Sequence, residues 1–235
     1  SLGLVGSEMC IRDRTNPATG LTKALTPPVK KKMAALKPEE LPEFLRRLED
    51  YQGHRLTYLG MRFVIYTFVR TSELRLAEWK EFELKSVNPV WTIPAERMKM
   101  RREHLVPLSK QAIQILQQVA EISGGESLVF PSQNNPNKPM SENTLLFAIY
   151  RMGYHSRATT HGFRSVASTI LNESEKWHPD AVERQLAHVE SNKVLAAYDR
   201  AEHLTERRRM MQWWAEHIDS LKQPADVIDL EQHRA

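Results

Sequence analysis

The sequence predicts a mainly α fold with a small three-stranded antiparallel sheet (α+β). Three observations carry that expectation. Apolar residues recur at helical spacing from residue 38 onward. Between about residues 81 and 109 the period changes to short extended runs rich in β-branched and aromatic residues. Helical spacing then resumes and dominates to about residue 221.

The elements follow in order. Residues 1–14, "SLGLVGSEMCIRDR", show no clear helical or strand period. They resemble a translated sequencing adaptor, so they are expected to be non-native or disordered, with the natural protein extending further toward its N-terminus. Residues 15–37 contain Pro17, Pro27, Pro28 and the run Lys30, Lys31, Lys32, which is the composition of a basic linker. Such a linker fits either a solvated tether or a strip lying along nucleic-acid phosphates.

"KPEELPEFLRRLEDY" places acids in a first turn and Leu41, Phe44, Leu45 and Leu48 on one helical face. "HRLTYLGMRFVIYTFVR" is a largely apolar second helix, expected at the centre of the core. "TSELRLAEWKEF" reads as a short third helix, its start made polar by Ser72 and Glu73. "EFELKSV", "VWTIPA" and "EHLVPLS" read as strands, the last two joined by a hairpin turn in "ERMKMRR". "SKQAIQILQQVAEISG" has Ala112, Ile115, Leu116 and Val119 on one face and Gly124 as its stop. "SLVFPS" reads as a short edge strand or extended loop, followed by a polar loop "QNNPNKP". Helices are expected at roughly 141–153, 161–174, 178–187, 191–200 and 203–221. No internal repeat is visible, so residues 38–222 form one expected domain, with 223–235 as a tail.

The totals set bounds. The chain has 235 residues, 41% hydrophobic and 26% charged, which suits one folded domain with a sizeable core. Its only cysteine is Cys10, which rules out an intrachain disulfide framework or a multi-thiolate zinc site. No apolar run reaches the length of a membrane span, and no charged and apolar leader pattern opens the chain. A cytoplasmic protein without a membrane partner is expected. The net charge of +4 is too small to name a partner, but the basic residues cluster at Lys30–Lys32, Lys99–Arg102 and Arg207–Arg209.

Four places put polar groups where packing would not ask for them. Arg70 ends a long apolar helix, and Glu73 stands close enough to orient it. Taken alone, these two are better explained by a structural Arg–Glu pair. Lys99 stands at the hairpin tip, flanked by Arg101 and Arg102. It is either a solvated tip lysine or a proton donor reaching into a groove. Thr160 is read as an N-cap, which puts His161 and Arg164 on one face of a helix start, a phosphate-binding arrangement or a solvent-facing pair. His188 and Tyr198 follow, and either alone would be called structural.

The order of these groups changes their weight. "RTSEL", "ERMKMRREHLVPLS", "HGFR", "LAHVESNKVLAAYDRAEH" and "RRRMMQWW" together resemble the tyrosine recombinases, or phage-type integrases, over about residues 15–221. The likeness is nearest to integrases of prophages and genomic islands. It implies the catalytic-domain fold of that family. It also implies roles: Arg70 and Arg164 as the two catalytic arginines, Lys99 as the hairpin lysine, His161 and His188 as the two histidines, Tyr198 as the nucleophile and Glu73 in support.

The implied reaction is strand cleavage and rejoining through a 3′-phosphotyrosine, with no metal, cofactor or ATP, used to integrate or excise a mobile element. Implied partners are double-stranded DNA attachment sites and further copies of the chain, dimer to tetramer on DNA. Lys30, Lys31, Lys32, Arg101 and Arg102 are the expected phosphate contacts. Two other readings remain: a fragment serving only as a DNA-binding module, and a type IB topoisomerase-like relaxing enzyme. The "AAYDRAEH" context speaks against the latter. Met210, Met211, Trp213 and Trp214 fit core packing or docking on a neighbouring subunit.

Overall fold

The most apolar helix is the most enclosed. In the computed structural model, which describes residues 34–98, 101–125, 127–188 and 203–222, α2 (Arg55–Thr67) is buried along nearly its whole length. These residues lie within the compact unit of residues 33–235. Helix α2 starts where His54 Nδ1 accepts the Leu56 N–H at 3.2 Å. It stops at Phe68, which takes a left-handed backbone (φ 41°) while its N–H donates to Val64 O at 2.7 Å. Before it, α1 (Leu41–Glu49) buries the predicted stripe Leu41, Phe44, Leu45 and Leu48. Burying each such side chain contributes ~1.5–3 kcal/mol.

The third helix is shorter than expected. α3 (Thr71–Arg75) ends early, and Trp79–Glu81 forms a separate 3-10 turn. The reason is pairing: Trp79 N–H donates to Ser127 O and Val129 N–H to Ala77 O, which pulls the chain out of the helix. The sheet matches its prediction, with order β1 (Phe82–Glu83), β2 (Val90–Ile93), β3 (His104–Pro107), all antiparallel. Trp91 faces Val106 and Ile93 faces His104 across β2 and β3, and all four are buried. Phe82 stacks on Trp91 with centroids 4.9 Å apart.

Helix α4 (Lys110–Ser123) opens on Ser109, whose Oγ accepts the Ala112 N–H, and ends on Gly124 at φ 73°, as the sequence predicts. The polar stretch "QNNPNKP", expected as a loop, instead closes a second small hairpin, β4 (Pro131–Ser132) with β5 (Asn135–Pro139). Its prolines and asparagines hid the strand because they suit an edge as well as a turn. α5 (Thr144–Ile149) continues as a π turn over Tyr150–Tyr154, where Gly153 takes φ 88°. α6 (Gly162–Glu173), α7 (Pro179–Gln185) and α8 (Leu204–Ser220) complete the described fold. The helix expected at 191–200 lies outside the described residues.

Helix α8 packs on α2, α4 and α7. Met210, Met211 and Trp214 are buried, and Trp214 Nε1 donates to Ile65 O at 2.9 Å. These three are core residues. Trp213 is partly exposed between Trp177 and His217. Among the described residues no helix is long and apolar enough to cross a membrane.

Candidate active site

The site grows from the end of α2. Once Phe68 has turned the chain, Arg70 stands in extended backbone as the N-cap of α3. Its backbone N–H donates to Glu73 Oε2 at 2.8 Å, and its Nη1 donates to Oε1 of the same carboxylate at 2.7 Å. Glu73 is buried, so this ion pair is fixed rather than solvated. The far edge of the guanidinium, Nη2, reaches Ala187 O at 3.3 Å.

Arg164 enters from the first turn of α6 and is only 3% exposed. Its Nη1 donates to Phe68 O at 2.6 Å and its Nη2 donates to Leu186 O. Phe68 and Leu186 are the closing residues of α2 and α7, so two helix C-terminal carbonyls with negative partial charge face one guanidinium. Burial, and next the neighbouring Arg70, pull the Arg164 pKa down to about 10, which leaves it charged at neutral pH. Its Nε is buried and has no partner among the described residues.

His161 sits one residue before α6 and is exposed. Partial burial, followed by the charges of Arg164 and Arg70 and by His188, lowers its pKa below the ordinary histidine value. It is therefore neutral and able to accept a proton at physiological pH. The expected cap shifts by one residue. Thr159 Oγ1, not Thr160, accepts the Gly162 N–H at 3.0 Å, because His161 is already helical. Thr160 Oγ1 instead meets Thr71 Oγ1 at 2.8 Å, tying the neighbour of His161 to the neighbour of Arg70. Gly162 has a steric reason: a Cβ there would stand 2.6 Å from Ala34 O and 2.8 Å from Ala35 Cα. Ala34–Leu36, the end of the expected linker, pack against this helix start, and Leu36 is buried.

His188 follows α7 and is exposed. Its Nδ1 lies 2.8 Å from Glu183 Oε2, which holds the ring and leaves Nε2 on the other side. Ala187, between His188 and Leu186, takes a left-handed backbone at φ 49°. Arg164 and Arg70 bind the two carbonyls just before His188, and the Thr160–Thr71 contact sets His161 near Arg70, so all four groups occupy one corner of the fold. Of the remaining expected residues, Lys99, Tyr198, Lys30, Lys31 and Lys32 lie outside the described residues. Arg101 and Arg102 are exposed beside the hairpin reversal, where the Arg101 N–H donates to Met98 O at 3.0 Å. The base of that hairpin is anchored by an Arg97–Glu81 ion pair, and Trp91 Nε1 donates to Glu81 at 2.9 Å. Arg97 Nη1 also approaches Glu73 O at 3.5 Å, so the hairpin is fastened to the segment that orients Arg70.

Sequence reasoning missed four participants. Glu183 gave no signal beyond being an acid five residues before a histidine. His104 read as a strand residue. It is buried, and burial together with Arg207, Arg164 and Arg70 pushes its pKa down to about 3, so it is neutral. Arg207 stands out in the sequence only as part of the basic cluster Arg207–Arg209. It is only 7% exposed and donates to Gln185 Oε1 from Nε (3.0 Å) and Nη2 (2.8 Å), and from Nη2 to Leu105 O. Gln185 is the fourth, buried at the end of α7.

Among the described residues, His178, Asp180 and His203 bring ligand-type atoms within 4.8 Å of one another. His178 Nδ1 serves as the cap of α7 and His203 Nδ1 faces Glu206, which accounts for their placement without an ion.

Comparison with known proteins settles the family. The family model for the phage integrase family matches residues 34–204. The chain belongs to the phage integrase family. That span contains Arg70, Lys99, His161, Arg164, His188 and Tyr198. This phage integrase family member is 44% identical over 220 residues to an integrase of Enterobacteria phage P4, covering 87% of this chain and 50% of that protein. It is 40% identical over 212 residues to the prophage integrase IntA of Escherichia coli (strain K12), covering 90% and 51%. The chain thus spans about half the length of the curated relatives it matches. Among solved structures, it is similar to a lambda integrase dimer bound to a COC′ core site, with TM-score 0.58, 18% identity, 83% of this chain and 56% of that one. It is also similar to the integrase from mycobacterium phage Brujita, with TM-score 0.57, 13% identity, 92% and 73%. These two likenesses establish the integrase catalytic-domain fold.

Proposed function

We propose that this chain is the catalytic part of a site-specific DNA recombinase that cleaves and rejoins strands through a 3′-phosphotyrosine. The observation that carries the reading is the pairing of Arg70 and Arg164. Both are fixed on carbonyls at the C-terminal end of α7, beside a histidine whose pKa is lowered first by burial and then by those same arginines.

Tyr198 Oη attacks the scissile phosphorus. The O–P bond to tyrosine forms and the bond to the 5′-oxygen breaks, giving a free 5′-hydroxyl. Attack by a 5′-hydroxyl of another strand reverses the step, so phosphodiester energy is kept in the covalent link and no ATP is consumed. Arg70 and Arg164 stabilise the charge that grows on the non-bridging oxygens. His161 takes the phenol proton, whose free pKa of about 10 otherwise keeps it in place. Lys99 gives a proton to the leaving 5′-oxygen. His188, held by Glu183, hydrogen-bonds the phosphate.

The substrates on this reading are double-stranded DNA attachment sites, engaged by two to four copies of the chain, to integrate or excise a mobile element in the cytoplasm. The similarity to prophage integrases supports that assignment. Lys30, Lys31, Lys32, Arg101 and Arg102 supply salt-sensitive phosphate contacts.

The test uses nicked duplexes of randomised central sequence, so that cleavage traps the protein on DNA. A band of protein–DNA adduct surviving a denaturing gel is expected. Binding without any adduct would instead identify a DNA-binding module, and relaxation of a supercoiled plasmid without strand exchange would identify a relaxing enzyme.

A further inference from the structure

Three consecutive residues at the end of α7, Gln185, Leu186 and Ala187, accept the guanidiniums of Arg207, Arg164 and Arg70. The Leu186 carbonyl accepts from Arg164 and the Ala187 carbonyl from Arg70. The Gln185 side chain accepts twice from Arg207. His188 completes the turn, braced on Glu183. Arg207 also donates to Leu105 O on β3, so one guanidinium joins α8, α7 and the sheet.

We infer that Arg207, through Gln185, is a positioning residue for the phosphate-binding guanidiniums of Arg70 and Arg164. This rests on the recombinase reading of that arginine pair and adds a residue to it. A guanidinium can be aimed by a carboxylate or by carbonyls. A carboxylate cancels the charge that the phosphate needs, whereas carbonyls orient the fork and leave its charge in place. Arg164 is held by two carbonyls, and Arg70 by one carbonyl besides Glu73. Two of these three acceptors, Leu186 O and Ala187 O, belong to a turn whose backbone is strained at Ala187, with φ 49°. Such a turn keeps its shape only if something outside it holds it. Arg207 does so on the residue immediately before Leu186.

Arg207 itself is held by Gln185 and Leu105, both neutral, although it is only 7% exposed. Ion pairing is therefore not what keeps a charge there. Geometry is: its planar fork spans an amide oxygen and a backbone carbonyl on separate elements, which neither lysine nor an apolar residue can do.

The experiment separates positioning from mere stability. Arg207→Met and Gln185→Leu each strand a buried polar partner and lower Tm. Combined, they form an apolar pair, which restores most of the lost Tm. Positioning predicts that single-turnover cleavage stays slow in the double variant, on the order of 10²-fold below wild type. The substrate is the nicked duplex most enriched in the wild-type adduct. DNA affinity should stay within about threefold, since phosphate contacts elsewhere are untouched. Recovery of the cleavage rate together with Tm overturns the inference.

Arg207→Lys guards against a double variant that fails to fold. It keeps the charge and one hydrogen bond, so Tm should fall less than in Arg207→Met, while cleavage slows about tenfold. A wild-type rate in that variant also overturns the inference. Side-chain NMR of ¹⁵N-arginine gives a readout that needs no cleavage at all. The Nε–H resonances of Arg70 and Arg164 should move in Arg207→Lys, and unchanged resonances count against positioning. A wild-type chain that forms no adduct would instead count against the recombinase reading, leaving the resonances to decide this one.

Discussion

Arg164 Nη1 donates to Phe68 O across 2.6 Å, joining the start of α6 to the end of α2. Through its other nitrogen, Nη2, the same side chain reaches Leu186 O, so one guanidinium bridges two helix ends that are far apart in sequence. A lysine carries the charge but cannot span both carbonyls. Arg164→Lys is expected to cost ~1–3 kcal/mol of stability by urea unfolding, because a buried carbonyl loses its donor. Cleavage of a nicked duplex should fall at least ~10²-fold while DNA binding changes little. A cleavage rate within tenfold of wild type would contradict the role given to the fork.

His104 makes stability depend on acidity. Its folded pKa is about 3, against an ordinary value of 6.5. Above pH 6.5 both folded and unfolded forms are neutral, and His104 imposes no pH dependence. As pH falls through 6.5 the unfolded chain takes up a proton that the folded chain refuses, so stability is lost progressively down to about pH 3. The size is ~1.4 kcal/mol per pH unit within that window. Relative to His104→Gln, the wild type should lose ~2 kcal/mol between pH 7 and pH 5, measured by urea unfolding at each pH. A wild-type-to-variant difference that does not move with pH would show that the buried ring titrates normally.

Gly162 is required by close approach rather than by backbone angle. A methyl group there would meet the Ala34 carbonyl oxygen and Ala35 Cα, both backbone atoms that cannot swing aside. Gly162→Ala should displace Ala34–Ala35 and shift the helix start that carries His161 and Arg164. The expected cost is ~1–3 kcal/mol in spite of alanine's better helix propensity. An unchanged or raised Tm would mean that the segment yields freely.

Arg101 and Arg102 stand exposed beside the hairpin. If both neutralise phosphates, Arg101→Ala with Arg102→Ala should flatten the plot of log affinity against log salt by about 2 units of slope. An unaltered slope with unaltered affinity removes them from the DNA interface.

Most helix positions and the sheet were legible because each rests on a local pattern, whereas Arg70, His161, Arg164 and His188 were grouped only by the family resemblance of the stretches that carry them. An apolar stripe marked α1, a change of period marked the sheet, and spacing of three put His161 and Arg164 on one face. What escaped depended on tertiary partners. Nothing near Arg207 distinguishes it from Arg208 and Arg209, yet only Arg207 is turned inward to Gln185 and Leu105. His104 alternates inward like any strand residue, and its neutrality comes first from burial and then from three arginines distant in sequence. The cap of α6 moved from Thr160 to Thr159 because His161 is already helical, and Thr160 instead meets Thr71 across the fold.

The central claim is that Tyr198 is the nucleophile served by this arginine pair. The direct test is mass spectrometry of the denatured adduct formed with nicked duplexes, run in parallel with Tyr198→Phe. The account predicts one DNA-modified peptide, carrying phosphate on Tyr198, and no adduct from the phenylalanine variant although it still binds DNA. A modified peptide lacking Tyr198, or an adduct from Tyr198→Phe, would contradict it.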